Sequence, residues 1–149
     1  MGSNTARSGL QDNDAATRTA SCTCSGLAVE VRGVPHFTAI CACRNCRTRT
    51  GSAFGVSAYF DEACIIRTLG APTLFRGTSR KGRWLDYRFC PRCGTTVWWT
   101  AEFRPGEIGI AAGLFVDDAA TPGGAYFSDA LPSWVSLGSI PLHPSGSGK

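Results

Sequence analysis

No run of apolar residues in the chain is long enough to cross a bilayer, so a membrane-spanning helix is not expected. Residues 1–20 carry Ser, Thr, Asn, Asp and Arg with no apolar stretch among them, so no secretory signal is expected either. These absences point to a cytoplasmic protein whose thiols are reduced or metal-bound. Lysine occurs only at Lys81 and Lys149, and the formal charge of +4 is almost wholly arginine's. Such a charge suits an anionic small molecule or a phosphate without choosing between them. Histidine occurs twice, and both His36, after Pro35, and His143, near the end, read as solvated loop residues. Helical periodicity is also missing over any sustained length, which leaves room only for short helices.

What the chain has in quantity is cysteine, eight in 149 residues. That is too sparse for a disulfide-built miniprotein, and a chain of this length can bury a core without staples. The thiols therefore need another purpose. A period of two dominates the apolar pattern: Leu27, Val29 and Val31; Phe54, Val56, Ala58 and Phe60; Leu85, Tyr87 and Phe89; Val97, Trp99, Ala101 and Phe103. Turn signals separate these runs, among them Gly33-Val34-Pro35, Gly70-Ala71-Pro72, Pro105-Gly106 and Pro122-Gly123-Gly124. A mainly β, mostly antiparallel domain over 21–143 follows, with a disordered segment at 1–20 and a flexible tail at 144–149.

Seven cysteines fall in three clusters: Cys22-Thr23-Cys24, Cys41-Ala42-Cys43-Arg44-Asn45-Cys46 and Cys90-Pro91-Arg92-Cys93-Gly94. A C-x-x-C turn lets two thiolates converge on one zinc ion at about 2.3 Å each, and a following glycine gives that turn its backbone freedom. Phe89 to Gly94 reads as a zinc-ribbon knuckle, short of two ligands. Either Cys22 and Cys24 or two of Cys41, Cys43 and Cys46 are able to complete it. The first grouping closes a four-sulfur site and leaves a separate trio; the second strands Cys22 and Cys24. We favour the first, because four closed ligands mark structural zinc and three with an open position mark catalytic zinc. In a purely structural reading the trio takes a fourth ligand from Cys64 or His36. Cys64, within Ala63-Cys64-Ile65-Ile66, reads instead as a small buried hydrophobe.

With Thr50-Gly51-Ser52-Ala53-Phe54 after the trio, these clusters resemble the glutathione-dependent formaldehyde-activating enzyme family, from about Ser21 to Trp134. The resemblance implies a β-tent fold and two zinc ions, one structural on Cys22, Cys24, Cys90 and Cys93, and one catalytic on Cys41, Cys43 and Cys46. It also implies a carbon–sulfur lyase joining a thiol such as glutathione to an aldehyde, as in forming S-(hydroxymethyl)glutathione. Family members commonly carry Cys-His-Cys where this chain has Cys41-Ala42-Cys43, and Gly where it has Ser21. Neither position is a ligand.

Arg44, Arg47 and Arg49 lie beside the trio and are able to offset its charge or hold a substrate carboxylate, or else form a solvated face. A rival reading is a nucleic-acid-binding zinc module, with Arg80, Lys81, Arg83, Arg88 and Arg92 near Trp84 and Tyr87. Asp86 interrupts that run, and the aromatics alternate as core residues do. A second rival is a zinc-ribbon module with no chemistry. On the expected strand, Trp99 shares a core face with Val97 and Phe103, leaving Trp98 for an interface or pocket wall. Trp134 is expected to cap the β layers or cover a pocket. Exposed strand edges in so small a β domain suit a homodimer.

Overall fold

The computed structural model describes residues 15–116 and 120–146. Its strands are β1 (Thr17–Ser21), β2 (Ala28–Arg32), β3 (Phe37–Cys41), β4 (Gly55–Asp61), β5 (Ile65–Leu69), β6 (Thr73–Thr78), β7 (Trp84–Phe89), β8 (Thr96–Ala101), β9 (Glu107–Ala111), β10 (Gly124–Tyr126) and β11 (Leu142–His143). One seven-residue helix among the described residues, α1 (Arg44–Thr50), and three single 3-10 turns complete the elements. The mainly β class with short helices is thus as expected.

The strands form two sheets, β1-β2-β5 and β11-β10-β3-β4-β9-β8-β7-β6. Antiparallel pairing holds except at one end of the larger sheet, where β10 runs parallel to both β3 and β11. The mostly antiparallel arrangement expected from the sequence is thus observed, with β10 as the exception. β10 follows a long connection from β9 rather than a hairpin, so no tight turn fixes its direction.

The larger sheet has two useful faces. Val56, Ala58 and Phe60 of β4 and Ile108 and Ile110 of β9 pack against Ala20, Leu27, Val29 and Val31 of the smaller sheet, forming the main core. The opposite face carries Phe37, Ala39 and Cys41 of β3, Ser57 and Tyr59 of β4, and Leu85 and Tyr87 of β7, and it is hollow. Alternation in β4 therefore feeds the core on one side and a cavity on the other.

The expected roles of the two tryptophans are reversed. Phe89 pairs with Thr96 and Arg88 with Trp98, so Val97 is an extra residue in β8 and the ladder bulges there. A bulge shifts the alternation by one place. Val97 and Trp98 consequently both join the main core, while Trp99 joins Leu85 and Ala101 on the cavity face with Phe103 packed beside it.

The chain's ends differ from their expected boundaries. Thr17 to Ala20 belong to β1, paired with β2 from Thr17↔Arg32 to Ser21↔Ala28, so the fold begins before residue 21. At the other end Phe127 N donates to Ser145 O, and Ser145 and Gly146 line the cavity. The disorder expected of 1–14 and of 147–149 lies outside the described residues. His143 is exposed as expected, but it lies in β11 rather than in a loop, and it stacks on Tyr126 with ring centres 4.8 Å apart. Trp134 neither caps the layers nor covers the cavity, being 78% exposed.

Candidate metal centres and cavity

Two cysteine groups assemble, each with its sulfurs within 4.8 Å of one another: Cys22, Cys24, Cys90 and Cys93, and separately Cys41, Cys43 and Cys46. All eight cysteines are free thiols. Cys64 joins neither group; half-buried, it packs against the main core. His36 stays near the surface, with Nε2 3.5 Å from Glu107 Oε2.

The quartet brings together the turn after β1 and the turn between β7 and β8. Cys22 N donates to Leu27 O, Leu27 N donates to the Cys22 sulfur at 3.2 Å, and Gly94 N donates to Cys90 O. Gly94 has φ +75°, a left-handed conformation that a side chain would strain. Cys22 and Cys90 are buried, and Cys24 lies 3.6 Å from each of their sulfurs. Four sulfurs at about 2.3 Å from a tetrahedral ion sit about 3.8 Å apart, so this donor set fits zinc. The Cys93 thiol, which shares a hydrogen bond with Thr95, is drawn down to about 5, and Cys90 is lowered by the Cys93 backbone N–H. Cys24, hydrogen-bonded to Cys90 and Cys22, is pushed the other way, up to about 11.

The trio spans the end of β3 and the start of α1. Cys41 closes the strand, buried Ala42 ties it to β10 through a hydrogen bond from its N–H to Tyr126 O, and Cys43 stands at the helix N-cap. Cys46 lies one turn on. Hydrogen bonds from the Cys41 and Cys46 thiols draw the Cys43 thiol down to about 2, while Cys41, donating to Cys43, is pushed up to about 11. Cys46 is pushed up by the same neighbours and by burial. Three thiols so close cannot all ionise without a cation among them. Their donor set fits a metal with a further position open toward the cavity.

That cavity has a volume of about 620 Å³ and all three trio cysteines lie on its wall. Arg49, Arg80, Lys81, Arg83 and Arg104 also line it, and among the described residues the lining includes no carboxylate. Of the three arginines beside the trio, Arg49 alone reaches the cavity, with its guanidinium 4.4 Å from the centre of the Trp99 ring. Tyr59 lines the cavity between Ser57 and Arg104, and burial raises its phenol above the ordinary tyrosine range, so it stays a hydroxyl donor. Asn45 Nδ2 donates to Thr78 O at 2.9 Å, fastening α1 to β6 at the cavity edge.

The basic run near Trp84 and Tyr87 divides between different tasks. Arg80, Lys81 and Arg83 face the cavity, whereas Arg88 donates to Asp86 O and Thr100 Oγ1. Sequence reasoning missed Arg80, Lys81 and Arg83 as cavity residues, and also Tyr59, Phe103 and Arg104. The period-two pattern placed several of them on strands, but nothing local identifies the hollow face.

Two cysteine clusters on a two-sheet β frame, one of four sulfurs and one of three facing a cationic cavity, define a thiol-rich protein whose clusters could each hold a metal ion. A profile described as glutathione-dependent formaldehyde-activating enzyme matches residues 17–129, and the chain belongs to that family. No curated protein sequence matches it. Among solved structures, the crystal structure of a Rhodobacter sphaeroides protein superposes with a TM-score of 0.53 at 21% identity, covering 83% of this chain and 98% of that one. This likeness concerns the fold. No helix among the described residues is long and apolar enough to cross a membrane.

Proposed function

We propose that this protein is a zinc-dependent carbon–sulfur lyase of the cytoplasm that forms or cleaves an adduct between glutathione and an aldehyde, of the S-(hydroxymethyl)glutathione type. The observation that carries the reading is the separation of the cysteines: a quartet none of whose members lines the cationic cavity, and a trio on that cavity's wall. Cys22, Cys24, Cys90 and Cys93 would hold a structural zinc, and Cys41, Cys43 and Cys46 a catalytic one. Zinc on the trio would supply an open position at which a thiol, mostly protonated in water with a pKa near 8.5, ionises.

The chain's own residues account for the remainder. The cavity cations bind the carboxylates of the tripeptide and fix its sulfur at the trio. Aromatic walls keep water from the reacting carbon. In the forming direction the sulfur bonds to the carbonyl carbon, the carbonyl π pair moves to oxygen, and that oxygen takes a proton. Tyr59, which lines the cavity, would donate a hydrogen bond to the oxygen as its charge develops. Cleavage reverses these steps.

The test is zinc stoichiometry measured beside adduct exchange. Wild-type protein should carry two zinc ions and accelerate exchange between free and bound formaldehyde in a glutathione mixture, followed by NMR. Cys43→Ser should fold, carry one zinc and lose the acceleration. Full exchange activity in a Cys43→Ser protein holding a single zinc would exclude the trio from the chemistry.

A further inference from the structure

The cavity is poorly matched to a one-carbon aldehyde. Tyr59 stacks on Phe37 at 5.9 Å, Tyr126 meets Phe37 edge-on at 6.1 Å, and Tyr87 tilts against Trp99 at 6.2 Å. All these rings, and Phe103, line the same cavity of about 620 Å³. Each arginine in its wall lies on a ring: Arg104 over Tyr59 at 4.2 Å, Arg83 over Phe103 at 4.5 Å, Arg49 over Trp99 at 4.4 Å and Arg80 over Phe127 at 5.6 Å. The guanidinium groups are thereby oriented by π faces, Arg104 also pairing with Glu107.

Such a wall is useful only when something apolar covers it, because concave aromatic surface is costly to leave wet. A hydroxymethyl group covers no ring face, and the glutathione peptide is polar along its length. Apolar cover must come from the electrophile-derived part of the ligand. A flat arene fits this wall better than a flexible chain does, since offset and edge-on ring contacts and guanidinium stacking all reward a π system.

We propose that the cavity selects anionic thiol conjugates whose carbon partner is aromatic, so that an aryl aldehyde is used in preference to formaldehyde. The inference rests on the lyase reading above. The step is the same addition: glutathione sulfur bonds to the aldehyde carbon, the carbonyl oxygen takes up the thiol's proton, and the product is a hemithioacetal.

Inert thioethers separate recognition from chemistry. With the zinc-loaded full chain, S-benzylglutathione should bind at least about tenfold more tightly than S-methylglutathione, measured by calorimetry. It should also bind more tightly than S-hexylglutathione, which offers apolar area without a π system. Phe103→Leu, which keeps bulk and removes a ring, should cut the ratio of benzyl to methyl affinity severalfold. Equal binding of benzyl and methyl conjugates, a hexyl conjugate as tight as the benzyl one, or no binding of any would overturn the proposal. Exchange assays with benzaldehyde and formaldehyde keep the two readings apart. Benzyl preference without aldehyde exchange defeats the lyase reading and upholds aryl recognition, and formaldehyde exchange with equal thioether affinities does the opposite.

Discussion

Arg49 rests its guanidinium 4.4 Å from the centre of the Trp99 ring, so the helix carrying Cys46 is tied to the wall of the cavity that Cys46 faces. Arg49 follows Cys46 by three residues on α1, which puts both on one side of that helix. A cation held there sits beside the sulfurs of the trio without ligating them. Arg49→Ala is expected to raise the KM for the thiol substrate about tenfold, the loss of one charge-assisted hydrogen bond, with zinc content and kcat little changed. Arg49→Lys keeps the charge but loses planar stacking, and should fall between the two. Steady-state kinetics with metal analysis on the same samples tests this; a loss of zinc in Arg49→Ala would assign Arg49 to the metal site instead.

Gly109 of β9 pairs with Trp99, and a Cβ at that position would overlap the indole Nε1 and Cε2. The ring can lie flat across β9 only because the side chain there is a hydrogen. Gly109→Ala should cost about 1–3 kcal/mol of stability, as overpacking does, and should change the near-ultraviolet dichroism of tryptophan. Gly113→Ala, where a Cβ meets nothing within 4 Å, is the matched control and should leave both unchanged. Equal thermal stability of the two variants would show that the indole yields without cost.

The two cysteine groups should lose metal in a fixed order. Three sulfurs facing a cavity would leave an ion open to a competing chelator, whereas the quartet would surround one, with Cys22 and Cys90 buried. Titration with a chromophoric chelator is expected to remove one zinc with the far-ultraviolet dichroism intact. Removal of the second should coincide with loss of the β signal, because structural zinc contributes directly to folding free energy. Cys90→Ser should accordingly yield insoluble protein. Release of both ions in one step would mean that neither site is independent of the fold.

Much of this arrangement is legible in the sequence. The three cysteine clusters assembled into the four-plus-three grouping that spacing favoured, and β2, β4, β7 and β8 lie where apolar alternation put them. What escaped has physical causes. Helix α1 has no buried residue and so no apolar stripe to read; its end is marked by Gly51, whose N–H donates to Arg47 O. Strand β6 is an exposed edge, so it shows no alternation. Trp98 and Trp99 were exchanged because the bulge at Val97 depends on the partner strand, which one strand's sequence does not contain. The cavity was invisible for a related reason. Period two reveals that a strand has two faces, but a hollow face lined by tyrosine, tryptophan and phenylalanine has the same pattern as a packed one.

Edge strand β6 is held to β7 by a cross-strand ion pair. Arg76 Nε donates to Asp86 Oδ1 at 2.7 Å and Nη2 donates to Oδ2 at 2.9 Å, while the guanidinium lies 4.9 Å from the centre of the Trp84 ring. Asp86 is buried, and these hydrogen bonds hold its carboxyl below the ordinary aspartate value of 3.8. A carboxyl depressed by folding binds fewer protons in the folded chain than in the unfolded one. Its contribution is therefore complete above the unfolded pKa and is lost as pH falls through the folded value. Asp86→Asn should melt at a lower temperature than wild type at pH 7, and the gap should hold down to about pH 5 and narrow below about pH 4. Acid also protonates the zinc thiolates, but it does so in both proteins, so the difference between their melting curves isolates the ion pair. A gap that stays constant from pH 7 to pH 3 would mean that Asp86 acts through packing and hydrogen bonding alone, without its charge.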